Sequence, residues 1–294
     1  MKGNNVKHFI VCMLVVISCS KNSDTSTGGG NNGGGNSGGN GGTKDTSCVI
    51  STISQVNSGA GAESSLSAYY NNNYQVTKLI SYDSVHNIKN FEADFNYISA
   101  DSVRINSYQY LILDANKRVT RFATISDLAN PVNADNYVFE YEYNSNGYLS
   151  TKNLFINGSQ LPNFSTAYTY TGNLLTNCEM TAVSSGNLKV LESTLSYDNS
   201  LNIKNWIYTF PDAMEGYMYI NVLNFGNHSL NPLKQVVTKI YDPASGQLLD
   251  TWTTNYGNYK IDANGYLLSG EANGDLQQGI AAFYGNTNFY YSCH

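Results

Sequence analysis

Charged residues and prolines are scarce in this sequence. Asp, Glu, Lys and Arg make up 13% of its 294 residues, and Pro occurs five times. A helical bundle or coiled coil would need far more Glu, Lys, Arg and Ala, and a disordered chain would contain less than the 41% of hydrophobic residues found here. The abundant residues are Tyr, Asn, Ser, Thr and Gly, with 24 tyrosines and 26 glycines. This composition is typical of half-buried β-strands joined by tight turns.

The sequence also lacks the signatures of an enzyme or a metal site. No Gly-x-Ser-x-Gly elbow occurs in the region expected to fold, and no cysteine spacing suits zinc. The segment Asp262-Ala263-Asn264-Gly265 resembles the start of a calcium loop, but Asn273 stands where that loop requires a bidentate Glu. We therefore expect a hairpin turn there, and we predict no catalytic residue, no metal and no cofactor.

Residues 1–18 have the pattern of a secretory signal peptide. Lys2 and Lys7 form a positive region before an apolar run, residues 9–17, that is too short to cross a bilayer. The run ends in Val16-Ile17-Ser18-Cys19, which resembles the lipobox of bacterial lipoproteins. That resemblance implies cleavage before Cys19 and acylation of its thiol, for example with palmitate. The alternative is an ordinary secretory peptide that contains a cysteine by coincidence.

Residues 19–47 are dominated by Gly, Asn and Ser. Because they offer almost no apolar surface to offset the cost of ordering, we expect a flexible tether with a mean reach of about 30 Å. Its G-x-G-x-x-G spacing follows no strand and opens no helix, so it does not indicate a phosphate loop. Ser20 is not an acidic retention signal, and the resemblance to other lipoproteins therefore implies the outer membrane, facing the surface or the periplasm.

The charge balance and the cysteines narrow the choice of partners and compartment. Removing residues 1–18 leaves 14 basic against 22 acidic residues, which argues against nucleic acid and anionic lipid headgroups as partners. The remaining thiols are Cys48, Cys178 and Cys293, an odd set that suggests one bridge and one free thiol outside the cytoplasm. Three pairings are open, and we favour Cys48–Cys293 because it ties the two ends of the folded region together.

Residues 48–294 read as a single all-β domain. Period-two alternation places Tyr137, Phe139, Tyr141 and Tyr143 on one face of a strand and Val138, Glu140 and Glu142 on the other. Leu191, Ser193, Leu195 and Tyr197 alternate in the same way, and Leu248, Asp250, Trp252, Thr254 and Tyr256 do so less cleanly. Turn clusters rich in Asn and Gly separate such runs. We predict an antiparallel up-and-down meander of roughly 14–16 strands, closed like a barrel or rolled.

The hairpins are related to one another. Residues 81–91 reappear as residues 196–206 with seven of eleven positions identical, and looser copies of Tyr, a polar turn and Gly-x-Leu recur elsewhere. These units resemble the YD repeats of RHS-type proteins. The lipobox, the tether and the repeats together resemble a Bacteroidetes lipoprotein family of unknown function, DUF4595. The resemblance implies a porin-like β fold and no assigned catalytic residue.

A barrel that itself spans the outer membrane is the alternative architecture. The aromatic last strand, with Phe289, Tyr290 and Tyr291, resembles the final strand of such barrels. However, a spanning barrel needs continuous apolar alternation on its lipid-facing side. The candidate strands instead carry charges on one face and Tyr on the other, and we expect Glu140 and Glu142 to lie on a solvated edge.

The excess of tyrosine is the feature that suggests a function. Aromatic faces stack on sugar rings, and we name Trp206, Tyr208, Tyr217 and Tyr219 as a ligand platform. The competing interpretation is that Tyr is simply a favoured strand residue. We predict a non-catalytic β domain that binds a glycan or an envelope component or serves a structural role. The alternative is a glycan-active, glycoside hydrolase-like enzyme that uses Asp212 and Glu215.

Two short segments suggest a modification. Asp83-Ser84-Val85 and Asp101-Ser102-Val103 resemble the Asp-Ser/Thr-aliphatic sequon for O-glycosylation of Bacteroidetes envelope proteins. We expect both near strand ends, where a bulky sugar is tolerated. The alternative is that Asp and Ser act there as ordinary turn residues.

Overall fold

The computed structural model describes residues 48–56, 63–83, 86–125, 136–204, 223–275 and 285–293. These residues form sixteen β-strands and one short turn of 3₁₀ helix, Val183–Ser185. The strands are β1 (Cys48–Val56), β2 (Glu63–Tyr70), β3 (Val76–Asp83), β4 (Ile88–Tyr97), β5 (Ser102–Ile105), β6 (Gln109–Leu113), β7 (Val119–Ile125), β8 (Asn136–Tyr143), β9 (Leu149–Ile156), β10 (Phe164–Thr171), β11 (Leu174–Ala182), β12 (Leu188–Tyr197), β13 (Leu233–Tyr241), β14 (Leu248–Ile261), β15 (Leu267–Gly274) and β16 (Gly285–Cys293).

The strands form one closed antiparallel barrel. Each strand pairs with its neighbours in chain order, and β1 closes the ring against β16 in a register that runs from Cys48–Cys293 to Val56–Asn286. Closure leaves no exposed sheet edge. The prediction of an all-β up-and-down meander is confirmed, with closure into a barrel rather than a rolled sheet. In the described part of the chain, no helix has the length and hydropathy of a membrane span.

The predicted alternation assigns the two faces of the wall correctly. Phe139 and Tyr141 of β8 are buried inside the barrel, whereas Glu140 between them forms an ion pair with Arg121 on the outer face. In β12, Leu191, Ser193 and Leu195 are likewise buried. Glu140 and Glu142 lie on a central strand, because β8 pairs with both β7 and β9. The expectation of a solvated edge was wrong, since the solvated surface is the outer face of a closed wall.

The interior of the barrel is filled with side chains. All sixteen strands contribute to one cluster of buried hydrophobic residues, in which Leu79, Ile105, Leu111, Leu149 and Leu233 are 0% exposed. Such packing stabilises the barrel by removing apolar surface from water. A few polar side chains are buried among these residues: Ser193 and Thr238 share a hydrogen bond of 2.8 Å, and Lys152 is 2% exposed, with its ammonium 5.7 Å from the centre of the Phe139 ring.

The two ends of the barrel differ. We call the end that holds Cys48 and Cys293 the disulfide end; the β2–β3, β4–β5, β6–β7, β8–β9, β10–β11 and β14–β15 turns lie there with the β12–β13 connection. Residues 223–232 of this connection cross the neighbouring turns. The Asn224 carbonyl accepts from the Val119 amide at 2.8 Å, and the Asn227 amide donates to the Gly147 carbonyl at 2.8 Å. Leu223 and Phe225 are buried against the core, so this segment covers part of the disulfide end.

Candidate functional site

Most of the side chains singled out in the sequence lie outside the described residues. Cys19 and Ser84 lie outside them. So do the aromatic platform (Trp206, Tyr208, Tyr217 and Tyr219) and the carboxylate pair (Asp212 and Glu215). Ser102 is described: it is the first residue of β5, is partly buried, and its carbonyl accepts from the Ile98 amide at 2.9 Å. It follows a turn, as expected, and its modification stays a prediction.

Cys48 and Cys293 are joined by a disulfide across 245 residues of sequence, and Cys178 is reduced and buried. This is the pairing that the sequence analysis favoured among the three. The bridge lies at the β1–β16 seam, where the two cysteines are also partners in the strand register. It therefore holds together the two strands whose pairing closes the barrel.

The segment that resembled a calcium loop is the β14–β15 turn. One oxygen of the Asp262 carboxylate accepts from the amides of Asn264 and Tyr266, both at 2.8 Å. The carboxylate is thus used to build the turn. Within the described residues, no group of three or more His, Cys, Asp or Glu side chains is arranged to hold a metal ion.

At the disulfide end, a recurrent tyrosine joins five of the even-numbered strands to the odd-numbered strand before each of them. In each case the hydroxyl donates to a backbone carbonyl near the start of the preceding strand: Tyr70 to Ile50 (2.7 Å), Tyr143 to Val119 (2.6 Å), Tyr197 to Leu175 (2.8 Å), Tyr259 to Leu233 (2.5 Å) and Tyr291 to Leu267 (2.7 Å). The acceptors are 20–26 residues away in sequence, which is the spacing of one repeat unit.

Burial raises the pKa of four of these five tyrosine hydroxyls. Desolvation raises the pKa of Tyr197 to about 12, and it raises the pKa of Tyr97, near the same end, to about 12 as well. Burial also raises the pKa values of Tyr70, Tyr259 and Tyr291. A buried phenol that donates a hydrogen bond is a structural group. For these residues, the interpretation of Tyr as a strand residue with a polar tip is the correct one, rather than that of a ligand platform.

Other tyrosines lie on the outer surface, among them Tyr69, Tyr74, Tyr82, Tyr108 and Tyr290, which are 36–54% exposed. Tyr69 and Tyr74 border a hollow of about 440 Å³ at the disulfide end. Its floor and walls include Ser51, Thr52, Ser67, Tyr70 and Asn72. None of the ten lining residues carries a charge, although the chain as a whole is acidic.

The hollow exists because β1 and β2 diverge. Pairing between them runs from Val56–Glu63 to Thr52–Ser67, whereas β2 continues to Tyr70 against β3. A β-bulge between Ile50 and Thr52 redirects β1 toward β16 at this point. The Tyr70 hydroxyl reaches across the gap to the Ile50 carbonyl at 2.7 Å. Sequence reasoning missed this site, because neither the bulge nor the divergence leaves a signal in the residue pattern.

The β2–β3 turn holds Tyr74 in a fixed position. The Asn71 side chain accepts from the Asn73 amide at 2.9 Å and from the Gln75 amide at 3.1 Å, and its own amide group donates to the Gln75 side chain at 2.9 Å. Tyr74 adopts a φ of +59°, which is uncommon for an aromatic residue. The turn thus presents an aromatic ring at the rim of the hollow at some conformational cost.

The outer face of the barrel carries ion pairs. The Lys78 ammonium lies 2.7 Å from Glu92 and 3.1 Å from Asp94, and Lys89 also contacts Glu92. Hydrogen bonds from Lys78 and Lys89 hold the pKa of Glu92 below its ordinary value. A second cluster joins Lys189 to Glu179 at 2.7 Å and to Glu192 at 3.4 Å. The apolar surface therefore faces inward and the charged surface faces outward.

The fold is similar to that of two solved porin-like proteins. A porin-like protein from Bacteroides uniformis ATCC 8492 aligns with a TM-score of 0.56 and 17% identity over 83% of this chain and 98% of that chain. A porin-like protein from Bacteroides vulgatus ATCC 8482 aligns with a TM-score of 0.52 and 10% identity over 84% and 99%. No family model and no curated protein sequence matches the chain. At these identities, the likeness shows the fold alone.

Proposed function

We propose that this chain is a lipid-anchored protein of the bacterial cell envelope whose barrel stands in water as a non-catalytic binding or structural domain. The observation that carries the proposal is the polarity of the wall. A barrel that spans a membrane has an apolar outer band and a polar interior. Here the Lys78–Glu92 and Lys189–Glu179 pairs lie outside, and apolar residues such as Leu79 and Leu111 fill the inside.

The filled interior also argues against a pore. Porin channels need a lumen lined by polar side chains and occupied by water. The core side chains in this barrel touch one another across all sixteen strands. The similarity to porin-like proteins is therefore a similarity in the architecture of the barrel wall, and we propose no channel for this chain.

Membrane attachment then falls to the N-terminal segment. The lipobox at Val16-Ile17-Ser18-Cys19 and the Gly/Asn-rich residues 19–47 support an acylated Cys19 and a tether. The Cys48–Cys293 bridge supports an oxidising compartment. Turn-linked hairpins and the porin-like fold support membership of the DUF4595 lipoprotein family, with hairpin units that resemble YD repeats.

Detergent-phase partitioning of the full chain, expressed in a bacterium with an outer membrane, tests the proposal. We expect the wild type in the detergent phase and in the outer-membrane fraction, and Cys19→Ser in the aqueous phase or uncleaved. Cys12→Ser is the matched control, since it alters another cysteine of the signal region and should partition like the wild type. Retention of Cys19→Ser in membranes after alkaline carbonate extraction, in a form from which the signal peptide has been removed, would mean that the barrel itself is inserted.

A second measurement addresses the bridge. Non-reducing peptide mapping of protein from the envelope should recover Cys48 and Cys293 in one linked fragment and Cys178 as a thiol. Recovery of Cys48 and Cys293 as thiols from that material would contradict the proposed compartment.

A further inference from the structure

We propose that the hollow between β1 and β2 binds a neutral saccharide, with Tyr69 and Tyr74 as its aromatic contacts. This proposal rests on the binding role proposed above and gives it a site and a ligand class. The hollow of about 440 Å³ has room for one or two sugar rings and is bordered by the exposed Tyr69 and Tyr74.

The lining determines the ligand class. Without a charged residue among its ten lining residues, the hollow offers no partner for a phosphate, a carboxylate or a metal ion. Its polar groups are the hydroxyls and amides of residues such as Ser51, Ser67 and Asn72. Uncharged donors and acceptors beside aromatic faces match the alternating hydroxyl groups and C–H faces of a neutral sugar.

The two tyrosines are placed for such contacts and are not needed for the core. Tyr69 lies on the outer face of β2 and is 52% exposed, and Tyr74 is 41% exposed at the tip of the turn. The neighbouring Tyr70 points the other way and is fixed by its hydrogen bond to Ile50. Tyr70 therefore lies at the floor of the hollow, whereas the ring of the preceding Tyr69 is exposed to solvent.

The strand divergence leaves one edge of β1 and one edge of β2 beside the hollow. Beyond Thr52–Ser67, these edges are separated by the hollow rather than joined in a ladder. The Tyr70 hydroxyl already occupies the Ile50 carbonyl there, so the ligand contacts that we propose are made by the lining side chains. An extended peptide could also add to a strand edge. The hollow is lined by only two residues of β1 and four of β2 and is flanked by tyrosines, which favours a compact sugar.

The test is binding of neutral oligosaccharides to the full mature chain in detergent. The probes are maltohexaose, cellohexaose, mannohexaose and chitohexaose, measured by saturation-transfer NMR and then by calorimetry. A heparin hexasaccharide and an unstructured decapeptide are the comparison ligands. We expect at least one neutral probe to bind with a Kd below about 1 mM, and the heparin fragment not to bind.

The variants locate the site. Tyr69→Ala should weaken binding about tenfold, because a stacked ring is removed, whereas Tyr69→Phe should retain most of the affinity. Tyr74→Asn keeps a residue that tolerates positive φ and should weaken binding similarly. Tyr82→Ala, which removes an equally external tyrosine from β3, is the control and should bind like the wild type.

Two outcomes would overturn the inference. One is the absence of binding by every neutral probe, or preference for the decapeptide, while partitioning still supports an anchored envelope protein. The other is sugar binding that Tyr69→Ala and Tyr74→Asn leave unchanged, which would keep a glycan-binding role and move it elsewhere. Failure of the proposed function is distinct from both, because it is read from the behaviour of Cys19→Ser.

Discussion

Two segments that share seven of eleven residues, 81–91 and 196–206, differ in structure where both are described. In the first segment, β3 ends at Asp83, residues 86–87 lie in a turn and β4 begins at Ile88, at the end of the barrel opposite the disulfide; Tyr82 lies outside and Ile88 is 55% exposed. Residues 196–204 lie at the disulfide end, where Tyr197 points inward and Ile203 is 1% exposed. The same Ser-Tyr-Asp sequence thus places its tyrosine on opposite faces of the wall.

The difference arises from the surroundings rather than from the segment itself. In both copies an Asp side chain organises the turn: Asp83 accepts from the His86 amide at 3.1 Å, and Asp198 accepts from the Ser200 amide at 2.9 Å. After the second turn, however, the Ile203 amide donates to the Leu230 carbonyl and the Lys204 amide donates to the Gly265 carbonyl, both at 2.7 Å. Distant partners decide the outcome where local sequence leaves two possibilities.

Removal of the isoleucine side chain in each copy is the test of this comparison with the largest expected effect on stability. Ile203→Ala should lower the free energy of unfolding by about 2–5 kcal/mol, because it leaves a cavity in the core. Ile88→Ala should change it by less than about 0.5 kcal/mol, since that side chain is already in water. Urea unfolding followed by tyrosine fluorescence provides the measurement. Equal losses in the two variants would mean that the copies are structurally equivalent.

The covering segment can be tested through Gly226. A Cβ atom there would stand 2.4 Å from the Gly147 carbonyl and 2.8 Å from the Tyr143 ring, whereas a Cβ atom at Gly158 would meet nothing within 4 Å. Both glycines have positive φ, +90° and +72° respectively, so Ala strains the backbone in each. We expect Gly226→Ala to cost about 1–3 kcal/mol beyond Gly158→Ala.

Thermal unfolding of the two glycine variants measures the difference, and hydrogen exchange at residues 223–232 shows where it arises. Faster exchange there in Gly226→Ala, with the wall of the barrel unchanged, is the expected pattern. Similar melting temperatures for both variants would show that residues 223–232 do not pack against the β8–β9 turn.

Much of the wall could be predicted from the sequence because side-chain alternation is a local signal. The alternation from Tyr137 to Tyr143 indicates which residues face inward, and the turn residues at Asp262 indicate where one strand ends and the next begins. Counting such units gave roughly the right number of strands. The proximity of the two ends of the folded region could also be predicted, because one end carries Cys48 and the other carries Cys293.

The candidate site could not be predicted, because it depends on relations between strands. The bulge at Ser51 and the divergence of β1 from β2 are set by the closure against β16, and no residue type marks them. The tyrosine-to-carbonyl hydrogen bonds join residues one repeat unit apart, so the pattern shows the repeat but not its purpose. Lys152 was missed because a buried lysine has the same sequence appearance as an external one.

The stability of the protein at alkaline pH tests the burial of Tyr197. Burial raises the pKa of Tyr197 from 10.0 to about 12, so the unfolded chain loses this proton before the folded chain does. The stability that this group contributes is complete below pH 10 and is lost as the pH rises toward 12. Tyr197→Phe should therefore show a slope shallower than the wild type by about 1.4 kcal/mol per pH unit in that interval. Parallel curves for Tyr197→Phe and the wild type would contradict the burial of Tyr197.

At neutral pH, the comparison of Tyr197→Phe with Tyr82→Phe gives the smallest expected effect on stability. Tyr197→Phe removes the hydroxyl that donates to the Leu175 carbonyl at 2.8 Å, and a net loss of about 1 kcal/mol is expected for such a hydrogen bond. Tyr82→Phe removes a hydroxyl on the outer face of β3, where water replaces any contact, and should be neutral. Denaturant midpoints at equal m-values provide the comparison. If both variants were neutral, the tyrosine-to-carbonyl hydrogen bonds would be a by-product of barrel closure and not one of the interactions that stabilise the disulfide end.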